Sequence, residues 1–144
     1  MTLSGKYERG TWDWVADQAA AYEASGGQKA NTVQGRPIVV LTSIGSKSGK
    51  LRKHPVMRVE HDGEYAAVAS KGGDPNHPSW YYNLVAHPEV DLQDGAEKHT
   101  YTARLVEGDE RADWWQYAVQ TWPTYGEYQQ KTDREIPVFV LERA

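Results

Sequence analysis

Four cations and no acid stand between Lys47 and Lys53, in the run Gly45-Ser46-Lys47-Ser48-Gly49-Lys50-Leu51-Arg52-Lys53. Glycines at both ends of the turn permit unusual backbone angles, and small residues leave amide N–H groups open to form an anion-binding concavity. Lys47, Ser48, Lys50, Arg52 and Lys53 add charge and donors, and an arginine can grip phosphate through two parallel bonds. The run is not a P-loop. Three residues separate Gly45 from Gly49, and Leu51 follows Lys50 where that motif has Ser or Thr. Alone, the segment reads more readily as a solvated turn with surface lysines. A second candidate is Ser70-Lys71-Gly72-Gly73-Asp74-Pro75, whose adjacent glycines let a ligand approach the backbone closely. It leads into Pro78-Ser79-Trp80-Tyr81-Tyr82, and rings beside a glycine loop and a lysine suit a flat polar ring system. The third is Trp122, Tyr125 and Tyr128, spaced by three. On a helix these form one aromatic face, a lid over a planar substrate with a hydroxyl able to donate a proton. Packing in the core is the competing fate of each ring.

Other chemistries are poorly served. The chain has no cysteine, which excludes disulfides, thiolate zinc sites and a thiol nucleophile. Its five histidines show no metal-binding spacing, and there is no GxSxG elbow. No pair of acids suggests a general acid and base. Candidate pockets without such groups point to chemistry borrowed from an organic cofactor. The chain carries a net charge of −4, and because the Lys47–Lys53 stretch contributes +4 the rest carries −8. A basic spot on an acidic body suits a small anionic ligand and argues against nucleic acid. The plainly aliphatic runs, Ile38–Leu41 and Val138–Leu141, are far short of the ~20 residues a membrane span requires. No secretory signal opens the sequence, so a cytoplasmic location is expected. Six Trp and nine Tyr against one Phe favour half-wet clefts over a purely structural core.

The 144 residues suit one domain, with a tail and helix over 1–36 and a cofactor-binding body over 37–144. Residues 1–9 read as a loose tail, and Thr11 as the cap of a helix over 12–24 that Ser25-Gly26-Gly27 stops. Trp12 and Trp14 on that helix suggest a peripheral contact with the inner face of a membrane. The helix has few cations for that role, so packing over the pocket mouth, or an oligomer contact as in a homodimer, is preferred. Strands are expected at 37–44, 51–60, 65–70, 89–93, 98–106 and 136–142, with Asp62-Gly63 and Asp94-Gly95 as hairpin turns. Helices are expected at 78–86, 109–121 and 123–131. Six short strands joined largely by hairpins predict an α+β, mainly antiparallel barrel, closed or partly closed so that few edges remain.

The chain resembles the deazaflavin (F420)-dependent nitroreductase family, which includes the actinobacterial F420H2-dependent quinone and nitro reductases. The resemblance lies in Val40–Gly49, Arg52, Pro55, Ala69–Gly73, Pro78–Leu84, Ala86–Pro88, Trp122–Tyr125, Tyr128, Thr132–Arg134 and Ile136–Val138, in order and at family spacing. It implies an FMN-binding-like split β-barrel that binds coenzyme F420, an 8-hydroxy-5-deazaflavin with a phosphate and an oligoglutamate tail. Position by position, Lys47, Ser48, Gly49 and Arg52 would hold the phosphate and tail. Ser70, Lys71 and Gly72 would line the ring, with Pro55, Met57, Ala69, Pro78, Ser79 and Trp80 around it. Trp122, Tyr125 and Tyr128 would close the substrate side. Ser70 or Tyr125 would hydrogen-bond the acceptor oxygen and pass a proton. The implied activity is hydride transfer from reduced F420 to an electron-poor planar small molecule, a quinone, enone or nitroaromatic. An FMN-dependent reductase on the same barrel and a non-enzymatic F420 carrier are the alternatives. The sequence departs from the family's common pattern at Ser46, Met57 and Ser79, where arginine, an aromatic ring and a bulky apolar residue are usual.

Overall fold

The computed structural model describes residues 3–144. Residues 1 and 2, part of the expected tail, lie outside the described residues. The chain runs α1 (Asp13–Ala24), β1 (Thr32–Val33), β2 (Arg36–Ile44), β3 (Leu51–Met57), β4 (Val59–His61), β5 (Glu64–Val68), a 3-10 turn (Lys71–Gly73), α2 (Ser79–Ala86), β6 (Glu89–Asp94), β7 (Glu97–Leu105), α3 (Gly108–Thr121), α4 (Thr124–Gln130) and β8 (Val138–Arg143). The strands form one antiparallel sheet in the order β1-β2-β6-β7-β8-β5-β4, with β3 also pairing β2. The sheet curls over its core, as expected of a split barrel.

The hairpin between β4 and β5 turns at Asp62-Gly63, where both residues have positive φ (53° and 83°) as a type I′ turn requires. Between β6 and β7 the turn falls at Gly95-Ala96, one residue later than expected, because Asp94 pairs with Glu97. The expected strand 51–60 is interrupted at Arg58 and becomes β3 and β4, and the connector before β2 contains β1, so the described residues form eight strands rather than six. Thr11 is not the cap of α1. Trp12 holds that position and makes no side-chain cap bond.

The tail is not loose over its whole length. Leu51 donates its N–H to the Lys6 carbonyl, and Glu8 donates to the Leu51 carbonyl, so Lys6–Glu8 lies as a strap along the free edge of β3. The core inside the curl contains Val39, Leu41, Ala67, Ala69, Trp80, Leu84, Leu92 and Phe139. A second core lies under α3 and α4, where Trp114, Trp122, Tyr125 and Ile136 pack on Val59, Val68 and Val138. On the other face of β2, Ala19 and Tyr22 of α1 cover Ile38 and Val40. Burial of that α1 face, not capping, therefore holds the helix.

Candidate active site

Two cavities open where β3, β5 and α2 converge. The first, about 310 Å³, lies between the end of β3, the end of β5 and α4. Pro55 and Met57 form one wall, Ser70, Lys71 and Gly72 a second, and Pro78 and Trp80 a third. Trp122, Tyr125 and Tyr128 close the α4 side. The second cavity, about 610 Å³, holds Lys47, Ser48, Arg52, Lys71 and Ser79. Lys71 lines both, so the two spaces adjoin.

The glycine loop owes its shape to backbone angles few side chains accept. Ser70 is right-handed (φ −77°, ψ −40°), while Lys71, Gly72 and Gly73 have φ of 45°, 64° and 82°. A Cβ added to Gly72 would meet no atom of the described residues within 4 Å, so this stretch of backbone is open to a ligand. Gly73 is the opposite case, because a Cβ there would come within 2.7 Å of the Tyr128 carbonyl oxygen. The close fit sets α4, and with it the tyrosines, directly against the loop.

The cationic loop is anchored from behind. Ser46 donates its N–H to Asn83 Oδ1 at 2.9 Å, and Asn83 Nδ2 donates to Ser43 Oγ at 3.1 Å. Asn83 is buried on α2, and its anchoring role carried no signal beyond its place among residues Pro78–Leu84. Lys47 forms no ion pair among the described residues and lines the cavity. Arg52 is paired with Glu8 of the strap at 3.0 Å, so a carboxylate of the chain itself occupies one face of this arginine.

Not every expected residue lines a cavity. Lys53 leaves β3 on the face opposite Arg52, bonds Glu23 of α1 at 2.7 Å and sits over the Tyr7 ring, so its charge serves α1. Gly49 lines neither cavity; its positive φ of 70° closes the turn and its N–H bonds the Gly45 carbonyl. The Ala69 side chain is fully buried in the inner core. Trp122 precedes α4, so the three rings do not share one helix, and Tyr125 and Tyr128 meet edge to face at 6.3 Å. Trp14 and Gln18 of α1 complete the mouth of the first cavity.

Tyr125 is almost fully buried, and that burial, with Tyr128 beside it, pushes its phenol far above the ordinary tyrosine range. It is therefore a neutral hydroxyl donor across the whole working pH range. His54 on β3 is driven down to about 4, chiefly by burial and secondarily by Arg52, and its Nδ1 has no hydrogen-bond partner among the described residues. The unfolded chain then takes up a proton here before the folded one does. Stability at this position is complete above the ordinary histidine pKa and falls as pH drops from about 6.5 towards 4, by about 2–3 kcal/mol at pH ~4.5. Urea unfolding of wild type and His54→Gln at neutral pH and at pH ~4.5 should show the variant losing less stability on acidification.

The family model described as F420H(2)-dependent quinone reductase matches residues 14–143. The chain belongs to that family. An F420H(2)-dependent quinone reductase of Mycobacterium tuberculosis is 34% identical over 128 residues, covering 86% of each chain. A solved F420-H2 dependent reductase, FDR-A, is 59% identical with a TM-score of 0.71, over 74% of this chain and 95% of that one. Another solved relative, a domain-swapped dimer, is 53% identical with a TM-score of 0.73, over 90% of this chain and 98% of that one. Solved structures below 20% identity, among them a heme binding protein from Mycobacterium smegmatis with a TM-score of 0.59, share the fold alone.

The F420H(2)-dependent quinone reductase family implies coenzyme F420. A cavity with three cationic side chains and one carboxylate, already paired, suits an anionic stem. An adjoining cavity walled by rings and open backbone suits a flat tricycle. The cationic space has about twice the volume of the aromatic one, more than a single phosphate fills. The residues present fit the group.

Proposed function

We propose that this protein reduces quinones with F420H2, holding the anionic stem in the cationic cavity and the ring in the aromatic one. The observation that carries this reading is the junction of the two cavities at Lys71. Bound reduced F420 supplies the hydride. Lys47, Ser48 and Arg52 bind the phosphate and carboxylates, and Lys71 neutralises charge where stem and ring meet. Pro55, Met57, Pro78 and Trp80 exclude water from the ring and fix its plane, and orientation alone can contribute several kcal/mol to lowering the barrier. Trp122, Tyr125 and Tyr128 would close the acceptor side of the aromatic cavity. The Ser70 or Tyr125 hydroxyl donates to the acceptor oxygen, which stabilises its developing negative charge.

Titrating the purified protein with F420 and with FMN at several salt concentrations tests the reading. F420 should bind more tightly than FMN and lose affinity as salt rises, as expected for charges that remain partly in solvent. Adding menadione to protein loaded with reduced F420 should restore the visible absorbance of the oxidised coenzyme. Preference for FMN, or no reoxidation by the quinone, overturns it.

We read the chain as one domain whose α1 completes the cavity mouth. The dimeric assembly of the relative extends to this chain as an expectation that light scattering checks. Among the described residues no helix is long and apolar enough to cross a membrane. A cytoplasmic location fits this reading. A peripheral contact with the membrane's inner face would use Trp12 and Trp14, which are 64% and 62% exposed. Co-sedimentation of wild type and Trp12→Ser with anionic vesicles decides it.

A further inference from the structure

Arg134 lies between α4 and β8 and lines neither cavity. Its guanidinium is nonetheless aimed at the back of the glycine loop. Nη1 donates to the Ala69 carbonyl at 3.1 Å, Nη2 to the Ser70 carbonyl at 2.8 Å and Nε to the Asp74 carbonyl at 2.9 Å. Nη1 also reaches His77 Nδ1 at 3.2 Å. An arginine only donates, so His77 is held with Nδ1 as acceptor. No other side chain among the described residues fastens this loop at so many points.

A peptide unit is planar and trans, so a carbonyl drawn one way sends the N–H of the next residue the other way. Drawing the Ala69 and Ser70 carbonyls back to Arg134 turns the N–H groups of Ser70 and Lys71 away from Arg134, which lines neither of the cavities that those two residues line. The right-handed to left-handed step from Ser70 to Lys71 is also the geometry that gathers successive N–H groups into a concavity for negative charge. A cation against the carbonyl ends polarises those peptides further.

The same residue reaches the lid. Gln129 of α4 donates to the Arg134 carbonyl at 2.8 Å and accepts from the Ile136 N–H at 2.9 Å. The arginine thus joins the helix carrying Tyr125 and Tyr128 to the loop carrying Ser70 and Lys71.

We propose that Arg134 is a positioning residue that aims the Ser70 and Lys71 backbone N–H groups at negative charge on the bound ring and acceptor, and locks that loop to the α4 lid. The proposal rests on the F420-binding reading for its ligand, but the aiming belongs to the protein without cofactor. The first measurement is therefore amide hydrogen exchange over residues 69–74 in cofactor-free wild type, Arg134→Lys and Arg134→Gln. The second is the affinity of each for oxidised F420, and the third is steady-state menadione reduction. The loop amides should exchange about tenfold faster or more in both variants, because neither replacement reproduces the three-carbonyl fork. F420 affinity should fall about tenfold or more, and kcat should fall further than affinity, since charge develops in the transition state. Guanidinium ion added to Arg134→Ala should recover part of the loss.

Unchanged exchange and affinity in Arg134→Gln overturn the proposal. So does Arg134→Lys matching wild type in both, since a point charge would then suffice. Should the Gln variant fail to fold, the Lys variant decides: wild-type unfolding with weakened F420 binding supports the clamp, and retained binding overturns it. If wild type itself does not bind F420, the cofactor reading fails, and the exchange comparison still decides the clamp.

Discussion

Arg52→Glu is expected to lower F420 affinity by about 10²–10³-fold. The arginine is half-buried beside the cationic cavity, and a charge-assisted bond of this kind contributes about 1.5–3 kcal/mol. Reversing the charge adds repulsion against the stem and leaves Glu8 facing a second carboxylate. Glu8→Gln is the converse experiment. It frees Arg52 from its internal partner and should tighten F420 binding several-fold at low salt, with the gain shrinking as salt rises. Fluorescence titration of both variants against oxidised F420 checks the pair. Equal affinities for wild type and Arg52→Glu would place the stem elsewhere.

Gly73→Ala is the second large effect. The backbone there has φ of 82°, and the added Cβ would lie 2.7 Å from the Tyr128 carbonyl oxygen and 3.1 Å from the Tyr128 Cα. A left-handed alanine costs about 1–2 kcal/mol, and overpacking a fitted contact about 1–3 kcal/mol more. The obstructing atoms are the Tyr128 backbone and the Lys131 Cβ at 3.1 Å, none of which a rotamer change can move, so relief requires α4 to move away from the loop. A loss of about 3–4 kcal/mol in chemical denaturation is expected, with quinone reduction falling more steeply than F420 binding because the tyrosines travel with α4. Gly72→Ala provides the control. It has a similar φ of 64° with open space around the added carbon, so it should suffer the conformational penalty alone.

The parts of this architecture that short-range chemistry determines are legible in the sequence. Asp62-Gly63 announces its turn because both residues tolerate positive φ, and Pro37–Ile44 reads as a strand because its buried residues are continuous. The three clusters of candidate residues also converge, because each follows a strand or opens a helix at the same end of the sheet. Lys53 shows where the linear reading failed. Four cations in seven residues look like one patch, yet the pleat of β3 sends Arg52 and Lys53 to opposite faces, one to the cavity and one to Glu23. Alternation along the predicted strand carried that signal. The partnership of Glu8 with Arg52 spans 44 positions, and that of Arg134 with Ala69 spans 65. Neither leaves a periodicity or a turn signature, so only the folded chain reveals them.

The strap along β3 also bears on how the protein is handled. Glu8 sits at the rim of the cationic cavity, seven residues from Met1, and a chain advances at most ~3.6 Å per residue. Any polyhistidine or solubility tag fused ahead of Met1 is therefore tethered within about 25 Å of the proposed stem site. An acidic linker there would add competing carboxylates at high effective concentration. The residues of β8 pair with β7 and line neither cavity, so a tag attached after β8 is expected to leave F420 affinity closer to that of the untagged protein.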